Sequence, residues 1–585
     1  MTSSEEVCIS QRLLYCWDSI FDTPPRVGDR HDEPYVNVGD EGTVNPSIDL
    51  IHFFMQAFDR NENSRSATDT VVDFCAGADL LNLQRDESAT TELVALLNDS
   101  GGMTARDLFH ALTQPRNARI KRSQELERGD SFISHPTVRI DEMDKRINRL
   151  YIESLNRWTV LALAASAPDH QASILGEFID NHLQFGPLIN AQAIYNGLPA
   201  FALQFHLPYF ALRKHRLPQK DKRQASHGKG LRQCYDITFL RTMDSKVDNG
   251  LTEYVYEARL SCLVSGLSRY SWSAYLFNDQ YFELDGDSDS VAEYHAQRDM
   301  QPGLDPLSAG KMSLNKTPCE PREYFLLIFE TRIRKVKKEW KQLFVAVDEA
   351  IRAYKSEYWN RTSHGVSLKK AQSPRSGTDR QRTQSREELH EWMRRSAELL
   401  RKFISSLDQI ISDWNVFRNT GINYFNSTDS PDHLARLLKT ITAIDQQITD
   451  LGRLLPKFNH TMVSLSEDML RHVHLLIAHE SNESALIQQK TARDVNVLTW
   501  ITFLTLPLGL AAGLLSTQEG FIPITPSPCT FVASLAILET LLWLILGTLR
   551  GWDWVRVKLT WVRYHLGVRR EGIEDIELRQ LEGLS

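Results

Sequence analysis

Three groups of residues have types and spacings that could do chemistry. Asp285, Asp287 and Asp289, in D-G-D-S-D, place carboxylates at alternate positions as the opening of an EF-hand calcium loop does. That loop continues with Gly and Glu where this chain has Ser290 and Ala296, so a solvated acidic loop is expected instead. His460, His472, His474 and His479 stand near Glu467, Asp468, Glu480 and Glu483, and the step from His472 to His479 puts those two on one helix face. Such a cluster could hold a metal or sense pH; a solvated polar face is the plainer expectation. Glu539 is the single charge in residues 520–549. The chain has no G-x-x-x-x-G-K loop, H-E-x-x-H helix or G-x-S-x-G elbow, so no catalytic residue and no resident cofactor is assigned, and an enzyme is not expected.

The surroundings of Glu539 set the class of protein. Residues 495–518 carry no charge, and residues 520–549 carry only Glu539. A helix of about 20 apolar residues crosses a hydrocarbon core of roughly 30 Å, so both segments are long enough to span a bilayer. A mid-bilayer carboxylate costs on the order of 3 kcal/mol, and the Phe, Val, Leu and Ile residues of 529–549 return roughly 3–7 kcal/mol, so insertion still wins. Glu539 is an intramembrane acid for which structural hydrogen bonding is the first expectation and ion coupling the second.

Between the spans, residues 516–528 have no Lys or Arg, one acid at Glu519, and Pro523, Pro526 and Pro528. Lys490 and Arg493 precede the first span, and Arg550, Arg556, Lys558, Arg563, Arg569 and Arg570 follow the second. The positive-inside rule then predicts a two-span integral membrane protein with both termini cytosolic and membrane lipid as a partner. The acidic start M-T-S-S-E-E lacks the basic residues and apolar run of a signal or transit peptide.

Composition agrees with this class. In 585 residues, 67 Lys plus Arg against 75 Asp plus Glu give a net charge of −8, which supplies no basic surplus for nucleic acid. Seven scattered cysteines with no C-x-x-C pair point away from a disulfide scaffold or a Cys-based zinc site.

The elements that must carry the spans follow from periodicity. Residues 1–130 read as a polar, irregular and variable region. Residues 131–359 read as a cytosolic α/β domain: 155–167 as a helix stopped by Pro168, then 201–212, 234–240, 254–264 and 271–277 as strands of a half-buried sheet, closed by a long helix from about 322. Residues 360–386, basic and rich in Ser and Thr without an aromatic residue, read as a disordered linker. Ser385 and Glu388 have capping-box spacing for the helix that follows. Residues 387–494 read as a helical stalk. Within it Ser430 caps a helix whose Leu434, Leu437, Ile441, Ile444, Ile448, Leu451 and Leu455 form a heptad seam, as a coiled coil requires. The first span is 495–515, the extracytosolic loop 516–528, the second span 529–549 and the cytosolic tail 550–585.

The string N-V-L-T-W-I-T-F-L-T-L-P-L-G-L-A-A-G-L-L at 496–515 resembles the first transmembrane helix of the CorA metal-ion transporter superfamily. In that family V-L-T, an apolar run, P-L and A-G precede a G-M-N signature; Val497, Leu498, Thr499, Pro507, Leu508, Ala512 and Gly513 fall on those positions. Further segments, L-N-R-W-T-V-L-A-L-A-A-S-A-P, F-H-L-P-Y-F-A-L-R and P-R-E-Y-F-L-L-I-F-E, resemble fungal CorA-like transporter proteins.

The resemblance implies a homo-oligomer, a pentamer in the family, that moves a divalent cation such as Mg²⁺ passively. It implies that the first span lines the pore, with Leu498 and Leu506 as apolar constrictions and Gly513 near its end. The chain departs at G-M-N itself, where Ser516, Thr517 and Gln518 stand as the pore mouth. Gln518 keeps a side-chain amide whose oxygen can accept from cation-bound water. The alternative is a non-conducting, membrane-anchored scaffold or sensor with a degenerate mouth.

Overall fold

The computed structural model describes residues 16–24, 34–38, 48–58, 65–84, 91–114, 147–195, 198–224, 228, 230–240, 250–283, 289–298, 303–368, 378–426, 430–516, 527–544 and 547–548. They fall into two compact units, Met1–Met469 and Leu470–Ser585.

The first unit is built on a seven-stranded sheet. Its strands are β1 (Ala95–Leu97), β2 (Ile147–Glu153), β3 (Leu188–Ile194), β4 (Ala200–His215), β5 (Cys234–Asp236), β6 (Thr252–Ser268) and β7 (Ser271–Asn278). Their order is β1-β2-β7-β6-β4-β3, with β5 also pairing β6. Only β2 and β7 run parallel; the remaining pairs are antiparallel. The two long strands β4 and β6 pair from Phe201↔Gly266 to His215↔Thr252 and form the spine.

Side chains alternate across that spine, as a pleated strand requires. One face sends Phe201, Leu203, Phe205 and Leu207 of β4 and Ala258, Leu260, Cys262 and Val264 of β6 into the larger core. Helices α9 (Pro321–Leu368), α10 (Thr378–Asn419) and α11 (Pro431–Gly452) complete this core, joined by Phe458 and Leu465 of α12 (Leu455–Ser516). In α9, residues Phe325, Phe329, Ile333, Val336, Trp340, Leu343 and Val347 recur at steps of three and four and are buried. The opposite face packs on α6 (Arg157–Ser166) and α7 (Asp169–Leu183), and the short α8 (Val291–Gln297) follows the last strand. Asn156 caps α6 by accepting from the Thr159 N–H at 2.9 Å, and Pro168 ends it and opens α7.

Four expectations need correction. Residues 1–130 are not uniformly irregular: α1 (Tyr35–Val38), α2 (Ile48–Gln56), α3 (Arg65–Phe74), α4 (Leu80–Gln84), β1 and α5 (Ala105–Thr113) lie there and supply Phe54, Met55, Val71 and Leu108 to the second core. Each element is too short to show a clear period. The basic linker is shorter than 360–386, because 360–368 continue α9 and 378–386 begin α10. Poor burial capacity does not stop a helix that is anchored elsewhere along its length. The helix therefore starts at Thr378, and Ser385 lies inside it rather than capping it.

The heptad seam of α11 is also reassigned. Leu437, Ile441, Ile444, Ile448 and Leu451 are buried within the unit's own core, where α11 packs on α9 and α10. A heptad pattern specifies one narrow apolar face but does not say which helix covers it. Finally, β4 and β6 are buried on both faces rather than one.

Gly266 marks the tightest point of the sheet. A Cβ there would lie 2.3 Å from the Ser271 carbonyl oxygen and 2.6 Å from Trp272 Cα, beside the bulge between Gly266 and Ser268. Backbone cannot yield as a side-chain tip can. Gly266→Ala is expected to lower the stability of this unit by about 1–3 kcal/mol, read as an earlier urea midpoint in tryptophan fluorescence.

Candidate functional site

The apolar span comes first. Residues Ser481–Gly513 of α12 are long and apolar enough to cross a membrane. Their hydroxyls are satisfied locally: Thr499 donates to the Val495 carbonyl at 2.7 Å, Thr502 to Leu498 at 2.8 Å and Thr505 to Ile501 at 3.0 Å. Such back-bonding removes the cost of a hydroxyl in hydrocarbon.

At 3.6 residues per turn, Leu498, Leu506 and Gly513 fall within an arc of about 80°. Leu498 is 65% exposed, Leu506 is 47% exposed, and nothing lies within 4 Å of a Cβ built on Gly513. Pro507 and Ala511 lie on the far side of the helix and are buried. The predicted pore-lining residues thus lie close together on the helix surface, but the opposite side is covered only at Pro507 and Ala511, since Trp500 on that side is 58% exposed.

Ser516 ends α12; Thr517 and Gln518 lie outside the described residues. Glu539 sits exposed on an apolar helix described over Pro528–Leu544, within the predicted span 529–549, and residues 545–546 lie outside the described residues. One helix among the described residues is long enough to span, where two were expected. The predicted tail 550–585 lies outside the described residues.

The two soluble clusters resolve differently. Asp285 and Asp287 lie outside the described residues, but Asp289 is buried and not solvated. It accepts from Arg332 Nη1 at 2.6 Å and Lys335 Nζ at 2.8 Å. Burial pushes its carboxyl up, and the two cations overcome that and hold it down at about 2. A carboxylate committed to two cations is a poor calcium ligand. His460 and His474 are exposed, and among the described residues no group of His, Cys, Asp or Glu is arranged to hold a metal.

A charge network that the sequence did not reveal occupies the α7 side of the sheet. Asp279, directly after β7, is its centre: Oδ1 accepts from Arg223 Nη1 at 2.6 Å, and Oδ2 from Arg232 Nε at 2.7 Å and from the Arg259 backbone N–H at 3.0 Å. Asp221 also holds Arg223, through Nη2 at 2.7 Å. Burial opposes ionisation of Asp279, but the guanidiniums of Arg223 and Arg232 outweigh it and keep the carboxyl well below its usual range.

His182 Nε2 lies 3.5 Å from the same carboxylate, and its Nδ1 is 2.8 Å from Ser261 Oγ, which is also 2.8 Å from His206 Nδ1. Asp279, His182 and Ser261 have the connectivity of a nucleophile relay. Ser261 is wholly buried, however, and its one hydroxyl proton serves one imidazole while the other imidazole donates to it. The arrangement fastens the sheet to α7; a substrate cannot reach it. The signal available in sequence was Glu257, Arg259 and Ser261 at alternate positions of an apolar strand, a pattern that reads equally as a solvated face.

Comparisons with known proteins add little at the level of residues. No family model matches the chain, and no curated protein matches it. Among solved structures it is similar to the full-length CmaX protein, at 12% identity and a TM-score of 0.26, over 79% of this chain and 100% of that one. It is similar to the complete CorA magnesium transporter of Methanocaldococcus jannaschii at 8% identity and a TM-score of 0.23, over 72% of this chain and 92% of that one. The soluble domain of the same transporter gives 8% identity and a TM-score of 0.25 over 58% and 93%. Overlaps this loose do not fix a family.

Burial drives the His182 imidazole down to about 4, from an ordinary value of 6.5, and holds His206 well below that value as well. The unfolded chain therefore binds protons that the folded chain refuses, so stability is lost as pH falls from about 6.5 to about 4, by about 3 kcal/mol for His182. His182→Gln should flatten this part of the stability profile. Asp279→Asn should cost about 3–5 kcal/mol at neutral pH, because buried Arg232 loses its counterion and Arg223 is left with Asp221 alone. Chemical denaturation at stepped pH measures both.

Proposed function

We propose that this chain is a subunit of a CorA-like divalent cation channel that assembles as a homo-oligomer, a pentamer by family resemblance, and passes Mg²⁺ or a related ion down its gradient. The observation that carries this reading is that V-L-T, P-L and A-G of 497–513 lie on one uninterrupted helix, Leu455–Ser516, which runs into the apolar segment. An α/β domain with long helices ahead of a C-terminal apolar region supports it.

In this reading both termini are cytosolic, and the face bearing Leu498, Leu506 and Gly513 turns to the axis. The two leucines then form apolar constrictions that gate by dewetting. The mouth of Ser516, Thr517 and Gln518 offers neutral oxygens to cation-bound water, which suits an ion that sheds its hydration reluctantly. The membrane potential supplies ~2.3 kcal/mol per charge per 100 mV. Glu539 hydrogen-bonds structurally. The replaced signature favours one competing reading, a non-conducting membrane-anchored scaffold or sensor.

Divalent-cation flux into proteoliposomes separates the two. The parental protein is expected to conduct, and Gln518→Ala to lower flux about tenfold or more while the oligomer stays intact, since each subunit loses a water acceptor. A protein tight to every divalent ion tested would establish the scaffold reading. An alanine variant that conducts at the parental rate would place the mouth elsewhere.

A further inference from the structure

The chain as a whole is acidic, yet between Arg213 and Arg232 it carries eight Lys or Arg residues and a single acid, Asp221. The structure divides these cations into two sets. Arg213 is neutralised by Glu283 and Glu339, and Arg223 and Arg232 are consumed by Asp221 and Asp279. Lys214 faces Glu253 at 3.5 Å. Arg216, Lys220 and Lys222 are exposed and make no ion pair among the described residues.

The loop that carries these three is held firmly. His215 Nδ1 lies 2.8 Å from the Tyr256 hydroxyl, which also accepts from the Gln219 N–H at 3.1 Å. Arg223 anchors its far end in the buried network, and its carbonyl accepts from the Leu231 N–H at 2.8 Å. Its one acid, Asp221, is turned inward to Arg223 and cannot offset the outward charge. Arg216, Leu217 and Pro218 are exposed in succession, and Leu217 is 73% exposed.

We propose that loop 216–222 docks on an anionic membrane surface, with Leu217 seated at the boundary between headgroups and acyl chains and Arg216, Lys220 and Lys222 against lipid phosphates. An exposed leucine with three uncompensated cations within five residues of it matches a negatively charged interface, where apolar burial and electrostatic attraction act together. The pre-formed backbone also spares the ordering cost that a floppy basic loop would incur on contact. This inference does not depend on ion conduction.

The test uses the full chain in nanodiscs, with hydrogen exchange of residues 213–224 as the readout. Nanodiscs of phosphatidylcholine are compared with phosphatidylserine-rich nanodiscs, and the neutral nanodiscs are also mixed with phosphatidylserine-rich or phosphatidylcholine vesicles. Protection is expected in at least one anionic arrangement, in neither neutral one, and to fade with added salt. Combining Arg216→Gln, Lys220→Gln and Lys222→Gln should abolish it and weaken any vesicle partitioning on the order of 100-fold, at about fivefold per cation. Leu217→Ser should weaken it less, and an unchanged urea midpoint would confirm that each variant folds. Equal exchange in all four arrangements, or protection that survives the triple substitution, overturns the proposal. Protection by a polyglutamate peptide but by no anionic lipid would overturn it in favour of an acidic protein partner.

Discussion

The soluble unit depends on one buried carboxylate. Asp279 follows directly on β7 and gathers a backbone N–H of β6, two arginines from the segment after β4, and a histidine of α7. Sheet, connecting segment and helix are thereby tied at one point. A charge of this kind survives burial only if every lone pair is claimed, and here the two guanidiniums supply both the compensating charge and the fixed geometry. The network specifies how α7 lies on the sheet, which an apolar contact would leave free to slide.

The same constraint shapes the surface. Because Asp221 and Arg223 turn inward to complete the network, the segment between them and β4 must present its remaining residues outward on a held backbone. In the larger core the principle is different: Phe210, Trp340, Phe403 and Phe458 interlock through edge-on and tilted ring contacts, for example Phe210 with Phe403 at 4.9 Å, and Phe205 stacks on Phe329. That core is assembled from three long helices, and the buried charges on α9 are paired, Arg332 with Asp289 and Glu339 with Arg213. A sheet with polar clamping on one side and aromatic packing on the other can be buried on both faces without losing its register.

In the second unit the apolar helix satisfies its own polar groups. Threonine hydroxyls return to their own helix, and apolar side chains such as Leu498, Trp500 and Leu508 lie open, an arrangement suited to lipid or to other copies of the helix and costly in water. Pro507 is tolerated at a covered point of α12, where a missing N–H is less harmful than at an exposed apolar surface.

Periodicity and composition by themselves determined the apolar helix, the strands β4, β6 and β7, the α6 helix ended by Pro168, and the stepped apolar face of α11, because each is a local pattern repeated over many residues. The resemblance at 497–513 rests on the residue string itself. Only the tertiary structure decided what covers each face. The heptad of α11 became part of an intramolecular core, Asp289 turned from a solvated loop to Arg332 and Lys335, and the polar alternation of Glu257, Arg259 and Ser261 became a buried network rather than a wetted surface. The partners of these residues lie far away in sequence, such as Asp279 with Arg223 and His182 with Ser261. A one-dimensional pattern records which positions share a face; whether water, lipid or an arginine from another segment meets that face is settled only when the chain closes on itself.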